Sequence, residues 1–119
     1  MASAASKSET TDDELTRLLM ATIVANIRSD SADLSLRQLA VFLNTYLEQD
    51  LEQSVRGLAI ALNILRPAIT RALDRLSVFG LIKRKRDRID RRSVIVRSSS
   101  PGAAYVRSLD SYLAEAAQT

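Results

Sequence analysis

The sequence predicts a mainly α-helical fold with a small antiparallel β-sheet, an α+β class of about five helices and two to three strands. Apolar residues recur at helical spacing in several segments, most of them preceded by a capping residue. Residues 54–97 also indicate two short helices joined by a tight turn and followed at once by a strongly basic β-hairpin. This order of helix, turn, helix and two-stranded wing is that of a winged helix-turn-helix.

The first predicted helix begins near Asp12, because Thr11 and Glu14 have the spacing of a capping box. It covers 12–29 and has an apolar stripe formed by Leu15, Leu18, Leu19, Ile23 and Ile27. Residues 1–11 are small and polar and contain no apolar segment, so we expect a disordered tail rather than a signal peptide. From residue 12 to residue 119 the composition is that of one domain.

A second capping box, Ser35 with Gln38, opens the next helix. Its apolar stripe is formed by Leu36, Leu39, Ala40, Leu43 and Leu47, and the role expected for it is structural. Residues 48–53 are polar apart from one leucine and connect this helix to the central segment. A short strand there, paired with the wing, would suit the winged-helix pattern.

The helix-turn-helix follows. Ser54 caps a helix that runs to Leu62, and Asn63 tolerates the left-handed conformation of the turn. The second helix buries the apolar stripe of Ile69, Ala72, Leu73 and Leu76, and Gly80 ends it. Its opposite face carries Pro67, Thr70, Arg71, Asp74, Arg75 and Val78.

Positive charge is concentrated in one segment. Residues 66–97 hold eleven basic and three acidic side chains, a net charge of +8, although the whole chain has only +3. A segment this basic is able to displace counterions from a phosphate backbone. The alternative is a solvated charged hairpin, as most charge runs are. The position of the hairpin directly after a helix-turn-helix pattern favours duplex DNA as its partner.

Five stretches of the sequence resemble the winged-helix core of MarR-type bacterial transcription regulators. They are LSLRQLAVFL at 34–43, VRGLAIAL at 55–62, RPAITRALDRL at 66–76, GLIKRKRD at 80–87 and DRRSVIV at 90–96. The D-R-R wing tip after a G-L-I-x-R strand is the most specific of them. The resemblance implies a DNA-binding core over 34–97, with the second helix in the major groove and the wing in the minor groove.

Two positions depart from the family pattern. Asn63 stands where the family usually has glycine, and Leu65 stands where a serine or threonine usually caps the recognition helix. Loss of that cap removes a hydrogen bond to the first helical turn, which Pro67 partly offsets because its φ is already helical. We therefore expect an effect on DNA affinity rather than on binding mode.

Several residues of the basic segment have expected roles. Arg71 is the best candidate for a contact to guanine, Thr70 for a base edge, and Arg66 and Arg75 for phosphates. By the resemblance, Arg92 enters the minor groove. The complete predicted DNA-binding set is Arg66, Pro67, Thr70, Arg71, Arg75, Lys83, Arg84, Lys85, Arg86, Arg88, Arg91 and Arg92. Asp74 and Asp90 are expected to orient wing arginines, and the family pattern pairs Asp74 with Arg92.

The last helix covers 101–118, after Ser98–Ser100 end the returning strand and supply an N-cap. In the family this helix packs with the first one to form a dimer. The predicted dimerisation residues are Leu15, Leu18, Leu19, Ile23, Tyr105, Leu109, Tyr112 and Leu113. The alternative for the first helix is packing on the core of its own domain. The C-terminal lobe is shorter than is usual in the family, which leaves little material for an effector cavity.

Two functions of different classes are predicted. The first is a homodimeric regulator that reads a pseudo-palindromic site on double-stranded DNA. The second is a winged-helix protein-interaction module, or an accessory subunit, that binds an acidic protein partner. An enzyme is not expected, since no nucleophile–base pair, metal cluster or glycine loop is present, and neither is a cofactor. No apolar run is long enough for a membrane span, so we expect a cytoplasmic, nucleoid-associated bacterial protein.

Overall fold

The computed structural model describes residues 2–49 and 53–118, with side chains described from Asp13 onward. In chain order its elements are α1 (Ala2–Arg28), α2 (Leu36–Leu47), β1 (Gln53–Ser54), α3 (Val55–Leu62), α4 (Arg66–Val78), β2 (Ile82–Arg86), β3 (Val94–Ser98) and α5 (Ser100–Gln118). The described residues thus form five helices and one antiparallel sheet with the strand order β1-β3-β2. The predicted fold class is confirmed, including the short strand before α3.

Helix α1 begins earlier than predicted. It starts at Ala2, so the Thr11–Glu14 pair lies inside the helix and most of the expected disordered tail is helical. Met1, the first residue of that expected tail, lies outside the described residues. A capping-box spacing identifies one possible helix start, and it does not exclude an earlier one. Alanine, which occurs at positions 2, 4 and 5, has the highest helix propensity.

The chain divides into two compact units. One is Leu34–Val106, and the other consists of the described residues before and after that range. This differs from the single domain expected over 12–119. The boundary after Val106 falls within α5, so no change in composition marks it. Within residues 2–49 and 53–118, no helix combines the length and apolar character needed to cross a lipid bilayer.

In the Leu34–Val106 unit, each helix buries one face in a common core. Its largest fully buried side chains are Val41, Phe42, Thr45, Leu58, Ile69, Leu73, Leu76 and Val96. Phe42 meets Tyr105 edge-on, with ring centroids 5.6 Å apart and an interplanar angle of 88°. Helix α2 is rotated relative to prediction: Leu36 is 85% exposed, because the buried face runs through Val41, Phe42 and Thr45. The apolar residues of α2 cover two faces, and only tertiary packing selects between them.

Local hydrogen bonds cap α2 and α3 as the sequence predicted. In α2 the Ser35 hydroxyl accepts from the Gln38 N–H at 3.1 Å, and the Gln38 side chain accepts from the Ser35 N–H at 2.9 Å. The Ser54 hydroxyl accepts from the Gly57 N–H at 3.0 Å, and Asn63 takes the left-handed conformation with φ 52°. These caps define α2 and α3, the two helices that precede α4.

The base of the wing is held against α5 by a close backbone approach. The Ser99 hydroxyl donates to the Gly80 carbonyl at 2.6 Å and accepts from the Gly102 N–H at 3.0 Å. A Cβ on Gly102 would lie 2.2 Å from the Leu81 carbonyl oxygen, so only glycine fits there. This clamp sets where β2 leaves the core.

Candidate nucleic-acid interface

Helix α4 has one buried and one open face. Ala68, Ile69, Ala72, Leu73 and Leu76 are buried, whereas the exposed residues are Arg66, Pro67, Thr70, Arg71, Asp74, Arg75 and Val78. The exposed set matches the face predicted from periodicity. Five of the predicted DNA-binding residues therefore project from one side of α4, with Thr70 and Arg71 at its centre.

The amino terminus of α4 has no side-chain cap, as predicted from the leucine at position 65. The Leu65 carbonyl accepts from the N–H groups of Ala68 and Ile69, at 3.0 and 3.1 Å. Proline has no N–H, so Pro67 contributes no donor. Fewer backbone donors are left for a phosphate than the sequence led us to expect from a helix N-terminus. Phosphate contacts at this end must come mainly from side chains such as Arg66.

Asp74 pairs with Arg84, and the predicted pairing with Arg92 is wrong. The Arg84 Nη1 donates to Asp74 Oδ1 at 2.7 Å, and the two side chains are 32% and 58% exposed, respectively. The β2–β3 register explains why Asp74 pairs with Arg84. Arg84 lies opposite the buried Val96 and therefore on the sheet face that covers the core. Arg92 lies at the wing tip instead. The pair joins the open face of α4 to the first wing strand.

Asp90 shapes the wing tip through the backbone. Its Oδ1 accepts from the Arg92 N–H at 3.1 Å, and its Oδ2 accepts from the Ser93 hydroxyl at 3.2 Å. The Ser93 N–H also donates to the Asp90 carbonyl at 3.0 Å. Arg91 and Arg92 are both exposed on this turn. Asp90 therefore positions the tip arginines by ordering their main chain rather than by binding a guanidinium.

Arg75 is held at the carboxyl end of α4. Its guanidinium carbon lies 4.8 Å from the ring centroid of Phe79, a distance typical of a cation–π contact. Such stacking leaves the guanidinium N–H groups available at the edge of the plane. The position is compatible with the phosphate contact predicted for Arg75.

The wing places its basic side chains on both sheet faces. Lys83 and Lys85 alternate along β2 with Arg84 and Arg86, and all four are exposed. Arg88, Arg91 and Arg92 are exposed in the hairpin. Because side chains alternate along a strand, Lys83 and Lys85 point away from the face that carries Arg84. The predicted wing set is therefore divided between two surfaces.

Sequence reasoning missed two basic residues. Arg97 is the cross-strand partner of Lys83. Arg37, at the start of α2, lines a groove of about 700 Å³ together with Arg71 and Leu36. The alternation of β3 around Ile95 could have identified Arg97. No local signal could have identified Arg37, because α2 and α4 meet only in the tertiary structure.

The predicted dimerisation residues fall into two groups. On α1, Leu15 is 59% and Leu19 60% exposed, Ile23 is also exposed, and Leu18 is half-buried. On α5, Leu109 and Tyr112 are half-buried and Leu113 is exposed. Tyr105 differs, since it is only 5% exposed and packs on Phe42. Its prediction as a dimer contact is wrong, because the first turns of α5 belong to the core of the Leu34–Val106 unit.

Comparison with known proteins gives one consistent family. A sequence model of the MarR family matches residues 34–94. No curated protein matches the chain in sequence. Among solved structures, the chain resembles MarR with a TM-score of 0.61 and 23% identity, covering 70% of this chain and 59% of MarR, less than two thirds of that protein's length.

Two further structures overlap more of the chain. A DNA complex of S. aureus MepR has a TM-score of 0.68 and 19% identity, covering 99% of this chain and 87% of MepR. YusO from Bacillus subtilis has a TM-score of 0.72 and 15% identity, covering 94% of this chain and 76% of YusO. At these identities the likeness concerns the fold.

Proposed function

Because the chain belongs to the MarR family, we propose that it is a sequence-specific regulator of transcription that binds double-stranded DNA as a homodimer. The observation that carries the proposal is the Asp74–Arg84 pair, which joins the open face of α4 to the wing in one basic surface. All eleven basic residues of 66–97 are exposed. MepR, a structural neighbour, has been solved in complex with DNA.

In this proposal α4 lies in the major groove, which is wide enough to admit a helix. Arg71 reads guanine and Thr70 contacts a base edge or a thymine methyl. Arg66 and Arg75, at the two ends of the helix, hold phosphates and set its register. Pro67, in the first turn of the helix, lies at the groove edge. Arg37, across the groove from Arg71, is a further phosphate contact from α2.

The wing supplies the second set of contacts. Arg92, with Arg91 beside it, enters the minor groove, where narrow A·T-rich sequence has enhanced negative potential. The remaining wing residues in the set, Lys83, Arg84, Lys85, Arg86 and Arg88, neutralise phosphates. Asp74 fixes the first wing strand through Arg84, and Asp90 fixes the wing tip.

The dimer is proposed from the exposed apolar side chains of α1. Leu15, Leu19 and Ile23 are large apolar residues in contact with water in the protomer, and burying them would stabilise a dimer. The carboxyl-terminal part of α5 contributes Leu109, Tyr112 and Leu113. A two-fold dimer places its recognition helices about 34 Å apart, matching a pseudo-palindromic operator. Such a protein acts on the chromosome, in the bacterial cytoplasm.

Selection of a bound sequence from random duplexes, followed by fluorescence anisotropy, tests the function. We expect one enriched pseudo-palindrome, with log K falling by about 0.9 per phosphate contact for each log unit of salt. Arg107→Ala, an exposed residue outside the basic segment, is the matched control for Arg71→Ala. Equal affinity for the enriched and a scrambled duplex, or no dependence on salt, would reject the proposal.

Sedimentation tests the dimer separately. The double change Leu15→Glu and Leu19→Glu should give a folded monomer with much weaker operator binding, since two half-sites are no longer engaged together. Arg17→Glu, exposed on the same helix, should stay dimeric. A wild-type protein that sediments as a monomer at micromolar concentration would exclude the homodimer.

One observation favours the alternative, a module that binds an acidic protein partner. Leu65 is 80% and Leu36 85% exposed, although both lie at helix starts on the α2–α4 side of the unit. Leu65→Ser discriminates between the two functions. If this surface reads DNA, a serine cap stabilises α4 by about 1 kcal/mol and strengthens operator binding. If the leucine contacts a protein partner, DNA binding is absent before and after the change.

A further inference from the structure

The tip of the wing carries one large apolar side chain among charged ones. The Asp87 N–H donates to the Ser93 carbonyl at 3.0 Å, and beyond this bond lies a five-residue tip, RIDRR at 88–92. Ile89 stands one residue before Asp90, the midpoint of the hairpin. It is 97% exposed, and no large apolar side chain in the described part of the chain is more exposed. An isoleucine therefore lies at the end of the wing with no protein surface covering it.

Hydrogen bonds order the backbone on both sides of this isoleucine. The Ile89 N–H donates to Asp87 Oδ1 at 3.0 Å, and the Arg92 N–H donates to Asp90 Oδ1 at 3.1 Å. Isoleucine is β-branched, so its χ1 is restricted as well. A side chain held in this way loses little conformational entropy when a partner covers it. Ile89 is thus a preorganised apolar projection.

The neighbours of Ile89 indicate which partner covers it. Arg88, Arg91 and Arg92 are exposed around it, whereas the two carboxylates of the tip already accept hydrogen bonds within the turn. Three guanidinium groups favour a polyanion such as DNA. In the minor groove of DNA, exposed isoleucines and similar apolar side chains insert between base pairs and partly unstack them. The chemistry of the tip matches this mode of contact.

We propose that Ile89 is a wedge that enters one base step of each half-site from the minor groove and bends the operator. This inference rests on the proposed function, because it needs the wing in the minor groove. Apolar wedges of this kind bend a duplex by about 20–90° toward the major groove. Arg92, on the other side of the tip, keeps its contact beside the opened step.

The wedge adds a sequence preference that hydrogen bonding by the wing does not supply. A TA step unstacks easily, whereas AA steps in A-tracts are stiff. Changing TA to AA preserves the hydrogen-bond acceptors in the minor groove, since A·T and T·A pairs present the same atoms there. The narrower groove of an A-tract attracts Arg92 more strongly. Arginine contacts alone therefore favour AA, whereas a wedge at Ile89 favours TA.

Energy transfer between dyes at the two ends of the operator selected from random duplexes measures the bend. We expect the full-length wild type to bend it by about 20° or more, and Ile89→Leu to bend it equally. Ile89→Ser should still bind, about fivefold more weakly, but with little bending. Ile60→Ser is the matched control and should bend like wild type, because Ile60 is 72% exposed on α3, outside the predicted DNA-binding set.

Two further measurements locate the wedge. The fluorescence of 2-aminopurine, placed at each adenine in turn, should rise at one TA step per half-site in the wild-type complex and not in the Ile89→Ser complex. Changing that TA to AA should weaken wild-type binding about fivefold or more and leave Ile89→Ser nearly unchanged.

Three results would overturn the wedge and leave the DNA-binding proposal intact. They are a straight operator in the wild-type complex, equal bending by Ile89→Ser and wild type, and wild-type binding to AA as tight as to TA. If the selection enriched no duplex at all, the proposed function itself would be rejected.

Discussion

Helix α4 and the wing both present arginines, but different forces hold them. Helix α4 is positioned by five buried apolar side chains, including the fully buried Leu73. The wing is anchored by a few apolar residues at its base, and its outer half is held by polar contacts: the Asp74–Arg84 pair and the Asp90 turn. Burial of a large apolar side chain stabilises by several kcal/mol, whereas an exposed ion pair contributes about 0–1 kcal/mol. Changes under α4 should therefore act through folding, and changes in the wing should act through binding.

The largest expected effect is on α4. Leu73→Ala removes a completely buried side chain and should lower the free energy of unfolding by about 2–5 kcal/mol. Urea denaturation measures this. Val78→Ala, on the exposed face of the same helix, should change stability by less than about 0.5 kcal/mol. If the two variants were equally stable, burial would not be what positions α4.

The second largest effect is expected on base recognition and not on folding stability. Arg71→Ala should leave the melting temperature nearly unchanged, since Arg71 is exposed, and should weaken the operator complex about tenfold. It should also relax preference at one base position, which repeated sequence selection would reveal. Arg66→Ala should instead weaken all sequences alike. If Arg71→Ala weakened binding to all sequences alike, Arg71 would contact phosphates and not a base.

A smaller effect is expected at the wing tip. Asp90→Ala removes the acceptors of the Arg92 N–H and the Ser93 hydroxyl, so the tip arginines lose their ordered turn. We expect operator affinity to fall severalfold although a negative charge is lost, because the loop must now be ordered on binding. Thermal unfolding should change little. Tighter binding by Asp90→Ala would show that charge alone governs the tip.

The smallest effect is expected from the pair between the two regions. Asp74→Ala should change the free energy of unfolding by about 0–1 kcal/mol, since both partners are partly exposed. A double-mutant cycle for operator binding should show coupling between Asp74 and Arg84, and none between Asp74 and Arg92. If Asp74 were coupled only to Arg92, the Asp74–Arg92 pairing expected from the family pattern would be correct.

The sequence by itself determined the elements of the fold and the chemistry of the interface. Helical spacing identified the buried stripe of α4, and the Ser35–Gln38 and Ser54 caps located two helix starts, because these signals act between residues a few positions apart. The basic segment over 66–97 and the D-R-R tip were also found from residues that are close together in the sequence. An expected start at the Thr11–Glu14 pair was the exception, because a helix can begin before any one capping signal.

Only the tertiary structure decided which residues meet across elements. The β2–β3 register gave Asp74 the partner Arg84 instead of Arg92, and it placed Lys83 opposite Arg97. Tertiary packing buries the face of α2 that carries Phe42, and Tyr105 packs on Phe42 in the core. A strand shifted by one residue turns every side chain to the other face, and a helix with two apolar faces buries either one at similar local energy. Such choices depend on contacts between distant segments, which short-range periodicity does not contain.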